Sequence, residues 1–329
     1  MQTLSSSATS GIDATMLSTT DREEALSLYA FGQGEAQQLL YDPTHGLVVG
    51  YAARAASTLV VELFLQSIGE LSAAVAEIDR VGKMKVHNFA KKQLPPRYRV
   101  PKTVLCRGSS VAQATNVTVS LKLVANPYTR AVSSYIHQMR TAISHRCLLR
   151  QREDADVNPM CSELNVAGKQ ADTIDTLMGN VSFVQWLESV KRVGLKALDM
   201  HTWPQATQLE LRGGCAFALV CKLDEDLQPC LDRANAASGA NLSIAGLEDF
   251  VSQQNATVVE HHKPRIELPA EDEVAAWPYA QLLELDGEPL TSNWFRGVAG
   301  NRAKALVRDL YESDFALYTY SRDDVPSGL

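Results

Sequence analysis

The sequence predicts an α/β domain of three layers, with a central parallel sheet, helices on both faces and a helical C-terminal part. Short apolar or β-branched runs alternate with stretches of helical periodicity from Gly46 to Leu223. Two of the strand-to-helix turns are built from small, hydroxyl-bearing and basic residues, and in open α/β sheets that edge is where ligands sit. The 329 residues, 45% hydrophobic and 21% charged, are enough for one large or two small domains with a sizeable core.

The first strand is expected over Gly46–Ala53, GLVVGYAA, a short Val-rich run of the kind buried in parallel sheets. A helix over Ser57–Gly69 follows: Leu59, Val60, Leu63, Phe64 and Ile68 recur at helical spacing, Ser57 or Thr58 can cap it, and Gly69 can end it. Further strands are expected at Lys85–Phe89 and Thr103–Arg107, around the Pro- and Arg-rich connector PPRYRVPK. Val117–Val124, VTVSLKLV, alternates with β-branched residues and stops before Asn126-Pro127, where Pro suits the first turn of a helix running towards His145. After a polar connector near 151–180 come a helix around Phe183–Val193, a strand at Ala216–Leu223, and helices at Asp224–Ala236, Ile244–Gln254 and Ala303–Phe315. Residues 1–40 are expected to form a disordered or loosely packed segment, 41–320 the α/β domain and 321–329 a tail; the first twenty hold ten Ser or Thr and no Lys or Arg.

Charge is unevenly spread. The net charge is −7, yet no Asp or Glu occurs between Asp79 and Glu153, and residues 80–152 hold 15 of the 31 Lys and Arg. An even spread would put about eight acids in that window, so it is expected to meet something anionic. The N-terminus lacks the charged and apolar regions of an export signal, and Arg54 and Glu62 interrupt the two most apolar stretches, so no bilayer-spanning run of roughly 20 apolar residues exists. Six cysteines without a CxxC pair or zinc spacing read as mostly reduced thiols of a cytoplasmic chain, despite four Asn-x-Ser/Thr sequons beginning at Asn116, Asn180, Asn241 and Asn255.

Two constellations can carry chemistry. In Arg54-Ala55-Ala56-Ser57-Thr58, small residues let the backbone curl towards a ligand, the helix start favours an anion, and Arg54 adds a full charge. The Walker A spacing is absent, so hydrolysis of a nucleoside triphosphate has no support. In Asn126–Tyr135, NPYTRAVSSY, a helical wheel sets Arg130, Ser133, Ser134 and His137 on one face, opposite Val132, Tyr135, Ile136, Met139 and Ile143. That polar face suits a phosphate, with a solvated surface as the plain alternative.

NPYTRAVSSY resembles the 3′-phosphate motif of sulfotransferases that use 3′-phosphoadenosine 5′-phosphosulfate (PAPS), particularly the carbohydrate branch, and RAAST resembles their 5′-phosphosulfate loop. SFVQWLESV, HTWPQ, FALVCKLDEDLQPCL and LYESDFALYTY are similar to successive stretches of the same branch, so the likeness runs from about residue 46 to 320. The resemblance implies a P-loop-like sulfotransferase fold and transfer of a sulfuryl group from PAPS to a hydroxyl or amine without a metal. Arg54, Ala55, Ala56, Ser57 and Thr58 would receive the 5′ end, and Arg130 and Ser133 the 3′-phosphate. Arg54 would also meet the charge growing on the leaving phosphate.

His87, expected at a strand's carboxyl edge, is the candidate base, with His201 of HTWPQ as its rival. His261-His262 reads as a polar loop rather than a metal site. Two departures stand out: Arg54 replaces the family's Lys, and Ala125 replaces the first Arg of its 3′-phosphate clamp. A lost charge-assisted hydrogen bond amounts to about 1.5–3 kcal/mol, unless Lys263, Arg265 or Arg302 replaces it. The acceptor is expected to be a small molecule or short saccharide, because a net-acidic chain is ill suited to a long polyanion. A catalytically inactive relative is the alternative. A nucleic-acid module is less favoured, since the basic window holds only Phe89, Tyr98, Tyr128 and Tyr135 for stacking.

Overall fold

The computed structural model describes residues 38–52, 55, 57–81, 86, 89–90, 93–106, 114–139, 178–194, 201–211, 215–245, 247 and 264–327. Strands β1 (Gln38–Asp42) and β2 (Leu47–Tyr51) pair antiparallel across a turn that Asp42 organises, its Oδ1 accepting the N–H groups of Thr44 and His45. Gly46 closes that turn at φ +61°, and a Cβ there would lie 2.5 Å from the Asn116 carbonyl oxygen. Its own carbonyl accepts the N–H of Thr118 at 2.7 Å, which starts the next strand beside β2.

Strands β3 (Arg99–Pro101), β4 (Val119–Val124) and β5 (Leu219–Lys222) complete a five-stranded sheet in the order β3-β1-β2-β4-β5. β2, β4 and β5 are mutually parallel, whereas β1 runs antiparallel to both β2 and β3. The register pairs Tyr51 with Leu123 and Val124 with Lys222, so the carboxyl ends of the three parallel strands open at one edge.

The sheet is covered on both sides because β4 alternates its side chains. Val119, Leu121 and Leu123 join a core with Val60, Leu63 and Phe64 of helix α1 (Ser57–Ser67). Helix α2 (Leu71–Val81) adds Ala74 and Ile78 to that core. Val124 faces a second core built with helices α3 (Pro127–His137) and α4 (Phe183–Val193). There Tyr135 meets Phe183, Trp186, Tyr279 and Trp294 with ring centroids 5.4–5.9 Å apart. Helix α5 (Gln228–Ser238) packs with the first core, and α6 (Gly297–Leu310) with the second; α7 (Glu312–Leu317) then brings the chain back to the sheet. Among the described residues no helix is long and apolar enough to cross a membrane.

The α4 bounds coincide with those expected because SFVQ is a capping box: Ser182 Oγ accepts the Gln185 N–H, and Gln185 Oε1 accepts the Ser182 N–H. β1 and α2 have no counterpart in the sequence reading. The strand expected at Lys85–Phe89 is overturned at its described positions: Val86, Phe89 and Ala90 are helical and bury their side chains together, the i, i+3, i+4 spacing of a helix face. The strand expected at Thr103–Arg107 gives way to a 3₁₀ turn at Lys102–Leu105. The expected helix at Ile244–Gln254 falls mostly outside the described residues.

The cysteines also depart from expectation. Cys106 is disulfide-bonded to Cys215, and Cys221 to Cys230. Neither pairing has a sequence signature: one joins residues 109 positions apart, the other joins the end of β5 to the first turn of α5. The reading of these four as thiols is therefore wrong.

Glu62 of α1 is 1% exposed, and burial pushes its carboxyl from an ordinary 4.5 up to about 7. The folded chain keeps this proton where the unfolded chain has lost it. Stability should therefore fall as pH rises from about 4.5 to about 7 and then level off. Glu62→Gln is expected to remove that component. Melting temperatures of the two proteins should diverge across this interval, with the variant the more stable at pH 8; parallel profiles would refute the assignment.

Candidate functional site

The edge where β2, β4 and β5 end gathers both constellations singled out from the sequence. After β2 the chain turns at Ala52, whose carbonyl accepts the Ala55 N–H at 3.1 Å, and enters α1 at Ser57. Ala55 is wholly buried, Ser57 half-buried and Thr58 exposed. Arg54, Ala56 and the candidate base His87 lie outside the described residues.

One strand over, β4 leads through Ala125 into α3. Asn126 caps that helix by accepting the Tyr128 N–H on its side chain at 2.9 Å, and Pro127 occupies the first helical position. Because β2 and β4 are adjacent and parallel, the chain leaves them at Ala52 and Ala125 on the same sheet edge.

The helix wheel needs correction. Arg130 and Ser134 are as buried as the apolar face, at 1% and 0% exposure, while Ser133 and His137 are half-buried. The polar face is covered by the segment HTWPQ: Ser134 Oγ donates to the His201 carbonyl at 2.6 Å, and the His201 ring lies 4.3 Å from that of His137. Arg130 sits with its guanidinium carbon 5.6 Å above the Tyr311 ring and within the field of Asp314, a carboxylate that is itself fully buried. A guanidinium withdrawn from water needs a buried counter-charge, and α7 supplies it.

The residues that sequence reasoning missed form the floor of this edge. Lys122, in the middle of β4 and 2% exposed, donates from Nζ to both Glu210 oxygens at 2.7–2.8 Å, to the Gln205 carbonyl and to the Tyr318 hydroxyl. Gln205 accepts the Ala125 N–H on Oε1 and donates from Nε2 to the Ala125 carbonyl, each at 2.8 Å. Asp314 accepts the backbone N–H groups of Gln205 and Ala206 at 2.9 and 2.7 Å. Tyr320 donates to the Val124 carbonyl or to Asp224 at the ends of β4 and β5.

Burial pushes the Lys122 ammonium down, opposed by Glu210, and pushes the Asp314 carboxyl up, opposed by Arg130 and the two N–H donors. Tyr311 is raised to about 12, first by burial. A lysine in an otherwise buried strand was the available signal, since an interior ammonium requires an interior partner.

The basic residues considered as substitutes for the missing arginine are engaged elsewhere. Arg265 lies 3.4 Å from Glu288, and Arg302 donates to Glu188 at 3.2 Å; Lys263 and His261-His262 fall outside the described residues. Among the described residues no three His, Cys, Asp or Glu side chains are grouped to hold a metal ion.

Breaking one buried pair leaves its partner uncompensated. Lys122→Ala is expected to destabilise the fold by about 3–5 kcal/mol, measured by urea unfolding. Lys122→Met combined with Glu210→Met should recover much of that loss. A single variant within about 0.5 kcal/mol of wild type would contradict the network's role.

No similar chain was found among curated proteins or among solved structures. The model of the Sulfotransferase family matches residues 37–321, a span that runs from the strand before the first turn, through both turns, to the C-terminal tyrosines that close the sheet edge. The chain belongs to the Sulfotransferase family.

Proposed function

We propose that the protein moves a sulfuryl group from PAPS to a hydroxyl or amine of a small-molecule or short-saccharide acceptor. The observation that carries this reading is the adjacency of two helix-initiating turns at the ends of parallel strands, a spacing suited to the two ends of one nucleotide. The residues fit such a ligand: Ser57 and Thr58 bring hydroxyls to the first turn of α1, and Ser133 is half-buried on α3.

When bound, PAPS supplies a sulfuryl group that an acceptor oxygen or nitrogen takes by in-line displacement, the bond to the 5′-phosphate oxygen breaking as the new one forms. In our reading Arg54, with the backbone of Ala55 and Ala56 and the start of α1, steadies the charge gathering on that oxygen. Ser57 and Thr58 donate hydrogen bonds beside it, and Ser133 donates to the 3′-phosphate. Arg130, 1% exposed and in the field of Asp314, adds its positive charge at the 3′-phosphate end. The acceptor's proton goes to a histidine, His87 or His201. The strand that would have aimed His87 at the sheet edge is absent at Val86 and Phe89, which leaves half-buried His201, on the segment that covers α3, as an equal candidate.

A second reading, a nucleotide-binding relative without transfer activity, draws on the Ala125 position, where a charged clamp residue is missing. The two disulfides support folding in an oxidising compartment instead of the cytoplasm expected from cysteine spacing.

Melting with added adenosine 3′,5′-bisphosphate tests the site. A ligand at about 100 times its Kd adds about 2.7 kcal/mol of stability, so the wild type should melt higher. Thr58→Ala and Ser133→Ala should each weaken binding about fivefold, the effect of one neutral hydrogen bond. No shift at millimolar ligand would end the cofactor assignment. A shift without sulfuryl transfer to any hydroxyl or amine would favour the inactive reading.

A further inference from the structure

Every polar group of Gln205 has a partner. Its N–H donates to Asp314 Oδ2, its carbonyl accepts from Lys122 Nζ, and its side-chain amide clasps the N–H and carbonyl of Ala125. Nε2 also lies 3.4 Å from Asp314 Oδ2. The residue is 1% exposed, so these bonds form away from competing water.

The clasp falls on the one loosely determined link between β4 and α3. Pro127 fixes its own φ and biases Asn126 to the extended conformation found there, φ −54° and ψ 132°. Asn126 is further committed by capping Tyr128. Ala125 has neither constraint, and no long side chain to anchor it. The amide of Gln205 pairs with it as the next strand of a sheet would, by one donor and one acceptor. Two turns further along, Ser134 is tied to His201 of the same segment, so residues 201–205 splint the half of α3 that carries Ser133.

We infer that Gln205 is a positioning residue: by fixing the Ala125 peptide it sets where α3 holds Ser133, and thereby gives the protein its preference for a nucleotide bearing a 3′-phosphate. The inference rests on the reading of the edge as a PAPS site. It also explains how a clamp lacking its usual arginine at position 125 could still discriminate, through a turn that does not yield.

Calorimetric titration of the full chain with adenosine 3′,5′-bisphosphate and with adenosine 5′-monophosphate separates positioning from plain stability. Gln205→Glu keeps the acceptor for the Ala125 N–H but loses the donor, and Gln205→Met loses both. Each should bind the bisphosphate roughly tenfold more weakly while monophosphate affinity changes less than about twofold. Leu231→Ala, in the core on the other sheet face, should lower the melting temperature and leave the ratio of the two affinities unchanged. Folded Gln205 variants that keep the wild-type ratio would overturn the inference alone. A wild type that binds neither nucleotide would overturn the PAPS reading with it.

If neither variant folds, hydrogen exchange on the wild type decides. The bisphosphate should slow exchange of the Ala125 amide more than the monophosphate does, and equal slowing would refute the role.

Discussion

Two cations that water does not reach, Lys122 in a salt bridge with Glu210 and Arg130 in the field of Asp314, determine how the second half of the sheet is assembled. Neither cation belongs to a surface. Each needs an acid brought from far along the chain, and each acid is fixed by backbone N–H groups or a tyrosine hydroxyl in addition to its cation. Such pairs are weak sources of stability, because desolvation offsets much of their attraction, but they penalise any arrangement in which one partner is missing. That penalty selects the path of the HTWPQ segment and the docking of α7.

The consequence for the candidate edge is mechanical. α1 leaves β2 with its apolar face against the sheet, and local sequence suffices to explain it. α3 is buried on both faces, so its orientation follows from what packs on its polar side. Among the described residues of the basic window, Lys122 and Arg130 are buried whereas Arg80 and Arg97 face solvent.

Legibility in the sequence followed the range of the interactions. β4, α1 and α4 were readable because alternation, helical spacing and a capping box are written within a dozen residues. Lys85–Phe89 misled because so short a run does not show its period, whereas Val86, Phe89 and Ala90 share a helical face that their common burial reveals. β1 is only five residues long, too short for its periodicity to stand out. The two turns of the candidate site were visible as compact motifs. The inward turn of Arg130 was not, since its acid lies near the other end of the chain, and the disulfides were hidden for the same reason.

The Tyr318 hydroxyl that receives Lys122 lies 196 positions downstream of it. At about 5–20 residues per second, the ribosome takes roughly 10–40 s to make that stretch. Glu210 and Gln205, 88 and 83 positions downstream, are made earlier in that interval, so the ammonium of β4 gains its acid first and its last acceptor only with Tyr318. The buried network around β4 is thus completed by residues made long after the strand itself, and a chain lacking Tyr318 would leave both Lys122 and Glu210 one hydrogen bond short.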